Sequence, residues 1–173
     1  MKKQIKLWDY AGTILETVGK GALITAKADG VVNPMTIGWG TLGIEWSQPV
    51  FIAFVRESRF TKELLDKNPE FTVNIPLGQA PKEILRFCGT KSGRDVNKVE
   101  QLGLTLEEPS TISVPGIREL PMTLECKVIY QQDQDPVCFK DDSIAHHYPL
   151  NEEGKGDYHT AYYGLVTAAY IIE

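Results

Sequence analysis

No run of this chain approaches the roughly 20 consecutive apolar residues that a membrane-spanning helix needs. The lysines of the opening MKKQIKLWDY have no apolar stretch behind them of the kind a secretory leader carries. The expectation is a cytoplasmic protein that does not enter a membrane. Cysteine is scarce: Cys88, Cys126 and Cys138 are odd in number, widely spaced and free of any Cys-x-x-Cys pair. That pattern speaks against a disulfide framework or a zinc site and leaves buried, reduced thiols. Histidine is equally sparse. His146 and His147 are adjacent and cannot face one ion from a helix, and His159 has no partner at ligand spacing. His147 reads as a surface or interface residue. No Ser/His/Asp or Cys/His order suggests a nucleophile.

Positive charge is also in deficit, with 18 Lys and Arg against 23 Asp and Glu and a net charge of −5. Nucleic acid and anionic membrane surfaces both require a cationic face, so neither is an expected partner. The cations present are clustered, at Arg56 and Arg59 and again at Lys91, Arg94 and Lys98. Such islands in an acidic protein suit a small anionic ligand.

What remains is an ordinary globular composition, 42% apolar over 173 residues. A chain of this length buries about 70% of its unfolded surface as one domain, here taken as residues 1–173. Strand patterns dominate. Ala22 to Ala28 reads as a strand, and Asp29-Gly30 as a hairpin turn in which both residues take positive φ. VVNPMTIGWGTLG returns, with Pro34 arguing against a central strand. Pro49 to Val55 is continuously apolar, as for a strand buried on both faces. Glu70 to Ile75, Met122 to Tyr130 and Thr160 to Ile172 complete the strands. Helices are short and inserted: one within Leu7 to Val18, one capped by Thr61, one at Lys82 to Cys88, one capped by Asp95 and ended by Gly103, and one near Asp142 to Tyr148. The pattern predicts a closed β-barrel with peripheral helices.

Gly38-Trp39-Gly40-Thr41-Leu42-Gly43 matches the dinucleotide fingerprint, but IEWSQP follows it with no amphipathic helix, so no pyrophosphate-binding turn is expected. RESRFTKELL is more informative. Arg56, Ser58, Arg59 and Thr61 stand between a buried strand and a helix N-terminus, where amides, hydroxyls and guanidinium forks suit a phosphate monoester. CGTKSGRDVNK repeats that chemistry with Thr90, Lys91, Ser92, Arg94 and Lys98 around a permissive glycine. Taken alone, each segment also reads as a capped helix or loop with solvated cations.

The ordered set NPMTIGWG, PVFIAFVRESRFTKELL, FTVNIP, FCGTKSGRDVNK, LECKVIY and HTAYYGLV covers most of the chain. It resembles the flavin reductase-like, FMN-binding split-barrel family, particularly its flavoredoxin branch. The resemblance implies a mainly β fold with inserted short helices, a Greek-key-like split β-barrel. It implies that Asn33, Met35, Thr36 and Trp39 lie along the isoalloxazine and ribityl chain of FMN. It implies further that Arg56, Ser58, Arg59 and Thr61 hold the phosphate and that Lys91, Ser92 and Lys98 complete the phosphate or ring contacts. His159 is similar to the histidine of the family's Gly-Asp-His motif near the nicotinamide, although here Tyr158 intervenes. The implied activity is an oxidoreductase taking electrons from NAD(P)H. The alternatives are an electron carrier paired with a small redox protein such as a ferredoxin, or a non-redox split barrel. A homodimer is implied in each case.

Overall fold

The computed structural model describes all 173 residues. In chain order the strands are β1 (Lys2–Gln4), β2 (Ala22–Ala28), β3 (Val31–Ile37), β4 (Gly40–Glu45), β5 (Gln48–Arg56), β6 (Glu70–Ile75), β7 (Leu106–Glu107), β8 (Gly116–Ile117), β9 (Met122–Asp133) and β10 (His159–Ile172). The α-helices are α1 (Ala11–Val18), α2 (Phe60–Lys67), α3 (Lys82–Thr90) and α4 (Lys98–Leu102). Seven strands form one antiparallel sheet in the order β3-β2-β6-β9-β10-β5-β4; β1 adds to the far end of β10, and β7 pairs with β8 separately.

This order forces the sheet to roll. β3 and β4 lie at its two edges, yet only Gly38 and Trp39 connect them. A flat sheet of this width would hold its edges about 29 Å apart, whereas that link reaches at most about 11 Å. The edges therefore meet at a corner built from Gly38-Trp39, without pairing to each other. The closed barrel predicted from the strand pattern is thus corrected: the sheet rolls but stays split at the β3/β4 seam, the form the family resemblance implied. Pro34 sits comfortably in β3 because an edge strand leaves one side of its backbone unpaired.

Local signals explain most elements. Asp29 and Gly30 have φ of 50° and 78° and close the β2–β3 hairpin. β5 departs from the expectation of two buried faces. Val50, Phe51, Ala53 and Val55 are buried, whereas Ile52 and Phe54 are half-buried, because only one face of the rolled sheet meets the core. That core gathers Phe51, Phe71, Leu124 and Tyr162 with Ile14 of α1 and Leu65 of α2. α3 packs on the other side of β2, where Leu85 and Cys88 meet Leu23.

Two capping expectations and one helix type change. Arg59, not Thr61, precedes α2, and Thr61 lies inside the helix with its side chain buried. Asn97, not Asp95, caps α4 by accepting from Glu100 N. The element near residue 142 is a 3-10 segment, Asp142–His147. Cys88 and Cys126 are buried as expected, but Cys138 is exposed on the β9–β10 connection. No helix is long and apolar enough to cross a membrane.

Candidate functional site

Two adjoining hollows flank the N-terminus of α2. The first, of about 160 Å³, lies at the split corner between β3, β5 and the start of β10, lined by Met35 to Trp39, Phe54, Arg56, Arg59 and His159. The second, of about 80 Å³, lies between α2 and the end of α3, lined by Asn33, Met35, Ser58 to Thr61, Cys88, Lys91 to Arg94 and Lys98. Met35 and Arg59 border both, so the two form one cleft. Every residue that the family resemblance placed around FMN lines it, whereas Thr90 does not and donates its hydroxyl to the Arg86 carbonyl at 2.8 Å. The topology does this: the corner at the end of β3, the exit from β5 and the entry to β10 stand side by side, and His159 pairs with Arg56 in the β5–β10 ladder.

The second hollow is cationic and incompletely satisfied. Lys98 is only 3% exposed, and its Nζ donates to the carbonyls of Pro34 at 2.9 Å and Cys88 at 3.0 Å. An ammonium carries three donors, so one is left over, and no carboxylate pairs with it. Burial pushes its pKa down, opposed by the nearby Cys88 thiol and reinforced by Arg59. The Cys88 thiol is itself pushed up to about 11 by burial, against the pull of Lys98. Arg59 and Lys91 are exposed and likewise have no ion-pair partner. Asn33 is 3% exposed; its Nδ2 donates to Thr61 Oγ1 at 3.0 Å, while its Oδ1 has no partner. No side chain caps the start of α2, where Lys62 N donates to the Arg59 carbonyl at 3.0 Å and the positive end of the helix dipole lies.

Other predicted side chains are already engaged. Thr61 Oγ1 also donates to Met35 Sδ at 3.4 Å, so the hydroxyl braces Asn33 and Met35. Thr36 Oγ1 donates to the Leu85 carbonyl at 2.6 Å and ties β3 to α3. Its backbone stands two residues beyond Pro34, whose carbonyl points off the sheet edge to Lys98. In an edge strand, alternate residues share that outward orientation. Arg56 donates to the carbonyls of Asp157 and His147, each at 3.0 Å, and lies over the Tyr148 ring. It straps down the β9–β10 connection. Ser58 donates from both N and Oγ to the Asp157 carboxylate, at 3.0 and 2.7 Å. Ser92 Oγ accepts from Arg94 N at 3.2 Å.

At the corner, Trp39 is 44% exposed, with its ring 5.1 Å from that of His159 and 5.2 Å from that of His147. His159 is 7% exposed and its Nδ1 lies 2.9 Å from Tyr148 Oη. Burial pushes its pKa down to about 4, with Arg56 and Arg59 adding to the push and Asp157 opposing it. The imidazole is therefore neutral near pH 7. Where Tyr148 donates to Nδ1, Nε2 carries the proton and offers a donor to the cleft.

Sequence reasoning missed Tyr148, Asp157 and Phe54, and read Gly93 as a permissive loop glycine. Only Asp157 left a signal, as the acid two residues before His159. Gly93 is needed for space: a Cβ there would run into Asn33 Oδ1 and come within 2.8 Å of Phe60 Cδ1.

The fold and cleft thus define a split-barrel protein with a cationic cleft beside an aromatic corner. Residues 18–173 match the family model described as the flavin reductase like domain, and the chain belongs to that family. Its fold is shared by a flavoredoxin from Methanosarcina acetivorans (TM-score 0.67, 24% identity, 88% of this chain and 68% of that one). It is shared too by an FMN-binding domain of a flavin reductases-like enzyme from Shewanella baltica OS155 (TM-score 0.69, 19% identity, 99% and 77%). A protein of Archaeoglobus fulgidus is 35% identical over 97 residues, 56% of this chain and 54% of that protein. One of Pyrococcus abyssi is 27% identical over 101 residues, 58% and 56%. The chain spans about half the length of the curated relatives it matches.

Proposed function

We propose that the cleft binds FMN and that the protein is an oxidoreductase of the flavin reductase type, taking electrons from NAD(P)H. The observation that carries this reading is the buried Lys98 ammonium, which has no carboxylate and stands beside the unpaired Arg59 and Lys91 and the orphaned Asn33 Oδ1. A buried charge without a counter-ion is costly, and a phosphate monoester supplies that counter-ion. The residues fit the whole group as well. Asn33 Oδ1 offers an acceptor, the outward backbone of β3 offers polar groups to a ring edge, and Met35, Trp39 and Phe54 offer apolar surface.

Each residue then has a task. Arg59, Lys91 and Lys98 hold the phosphate together with the first amides of α2. Thr61 holds Asn33 in place, and Thr36 fixes the edge strand against α3. Arg56 anchors the connection that carries Tyr148, and Tyr148 orients His159, whose neutral ring donates to a ligand at the corner. Bound there, FMN would supply two-electron exchange between a hydride donor and an acceptor. The chain acts as one domain. The cleft is smaller than the about 300–1,000 Å³ that usually encloses a ligand, which supports a homodimer in which a second copy covers the flavin.

The test is direct. Purified protein titrated with FMN and with riboflavin should bind FMN more tightly, and Arg59→Ala should weaken FMN at least tenfold, about 1.4 kcal/mol. A colourless preparation that takes up neither flavin overturns the reading. Anaerobic mixing of the holoprotein with NADH or NADPH should bleach the flavin; no bleaching with either donor assigns an electron carrier instead.

A further inference from the structure

Asp157 sits where a phosphate ligand should meet its donors. Its carboxylate takes both the backbone N–H and the hydroxyl of Ser58, at the threshold of α2. These donors would otherwise complete the anion site formed by Arg59, Lys91 and Lys98. The carboxylate has no ion-pair partner of its own. It is held there by backbone: Arg56 grips the Asp157 carbonyl, and Glu57 N donates to the Tyr158 carbonyl at 2.9 Å.

We infer that Asp157 is an affinity-limiting residue, competing with the ligand's phosphate for Ser58 so that the site releases FMN rather than retaining it. The inference rests on the FMN reading and deepens it, from which ligand to how long the ligand stays. Charge and geometry both carry it. Arg56, Arg59, Lys91 and Lys98 have no carboxylate partner, and Asp157 sets one negative charge against the −1.5 to −2 of a phosphate monoester at the same donors. Without Asp157 two further donors, Ser58 N and Oγ, would be free. The built site is independent of Asp157: Asn33 and Lys98 are each 3% exposed, one with an orphaned oxygen and the other with a spare donor. Because Asp157 adjoins Tyr158 and His159, yielding to the phosphate also loosens the end of the β9–β10 connection next to the corner.

The competition makes a signed prediction. D157N should bind FMN at least tenfold more tightly and slow its release, while riboflavin affinity changes less than twofold. More than half of that gain should vanish in the S58A/D157N double variant. In the wild-type protein, FMN but not riboflavin should shift the Ser58 amide and Asp157 carboxylate NMR signals, a readout that stands if D157N fails to fold. Weaker FMN binding by folded D157N, an equal change for riboflavin, or identical Ser58 and Asp157 responses to the two flavins would each overturn the inference. Wild-type protein that binds neither flavin removes the FMN reading itself, a different result from binding to which Asp157 is indifferent.

Discussion

Gly93→Ala puts a methyl group where the site has no room for one. A Cβ at this position would fall on Asn33 Oδ1 and come within 2.8 Å of both Asn33 Cγ and Phe60 Cδ1. Neither neighbour yields easily. Asn33 is 3% exposed and tied to Thr61 Oγ1 at 3.0 Å, and Phe60 opens α2 under the guanidinium of Arg94. Gly93 takes no positive φ, so the penalty is steric and not conformational. Overpacking of this kind costs about 1–3 kcal/mol. For a chain of this size each kcal/mol moves the melting midpoint by roughly 2–4 °C, so Tm should fall by about 2–12 °C. FMN affinity should fall as well, because relief requires Asn33 or the start of α2 to move. Thermal unfolding followed by circular dichroism and a flavin fluorescence titration read the two effects. Gly12→Ala is the control: nothing lies within 4 Å of its added methyl in α1, and it should be neutral or stabilising by up to about 1 kcal/mol. Gly93→Ala with unchanged Tm and unchanged FMN affinity would refute the reasoning.

Thr61→Ala should lower stability by about 1–3 kcal/mol, since buried Asn33 Nδ2 loses its acceptor; Thr61→Ser should restore most of it, measured by urea unfolding. Arg56→Ala frees the His147 and Asp157 carbonyls, so the β9–β10 connection should be cut faster in limited proteolysis, with Arg56→Lys only partly protective. The His159 imidazole, with its pKa pushed down to about 4, should show no titration in NMR between pH 6 and 8. Because that pKa lies below the ordinary value of about 6.5, the unfolded state takes up the proton first as pH falls. His159 therefore contributes stability that is intact above about pH 6.5 and lost on descending toward 4. His159→Gln should flatten this part of the acid-unfolding curve, and an unchanged curve would refute the assignment.

How far the molecule was legible in its sequence varied with the range of the interactions involved. The β2–β3 hairpin was readable because Asp29-Gly30 carries its turn geometry locally. The tight β4–β5 turn was not, because Trp46 and Ser47 hold φ of 49° and 57° without glycine. Aromatic packing of Trp46 against Tyr130 and Tyr163 accompanies it. β5 read as doubly buried because hydropathy does not report that a rolled sheet turns one face outward. At the site, residue type and order were enough to collect the lining, from Asn33 to His159. Their tasks were not readable. Nothing local says that Arg56 is spent on two carbonyls, that Thr61 turns inward to brace Asn33, or that Tyr148 and Asp157 bond His159 and Ser58 from the β9–β10 connection.

By itself, the sequence determined the strand content, the absence of a long apolar span, the clustered cationic and hydroxyl residues and the family. These depend on composition, on spacing along one element and on the order of motifs. Tertiary structure alone decided that the barrel stays split at Gly38-Trp39 and that Lys98 is buried without a counter-ion. It alone placed a carboxylate, Asp157, on Ser58 at the mouth of the cationic cleft. Each of these is a relation between groups far apart in sequence. Charge balance and hydrogen-bond satisfaction can be counted only once the fold has set the distances.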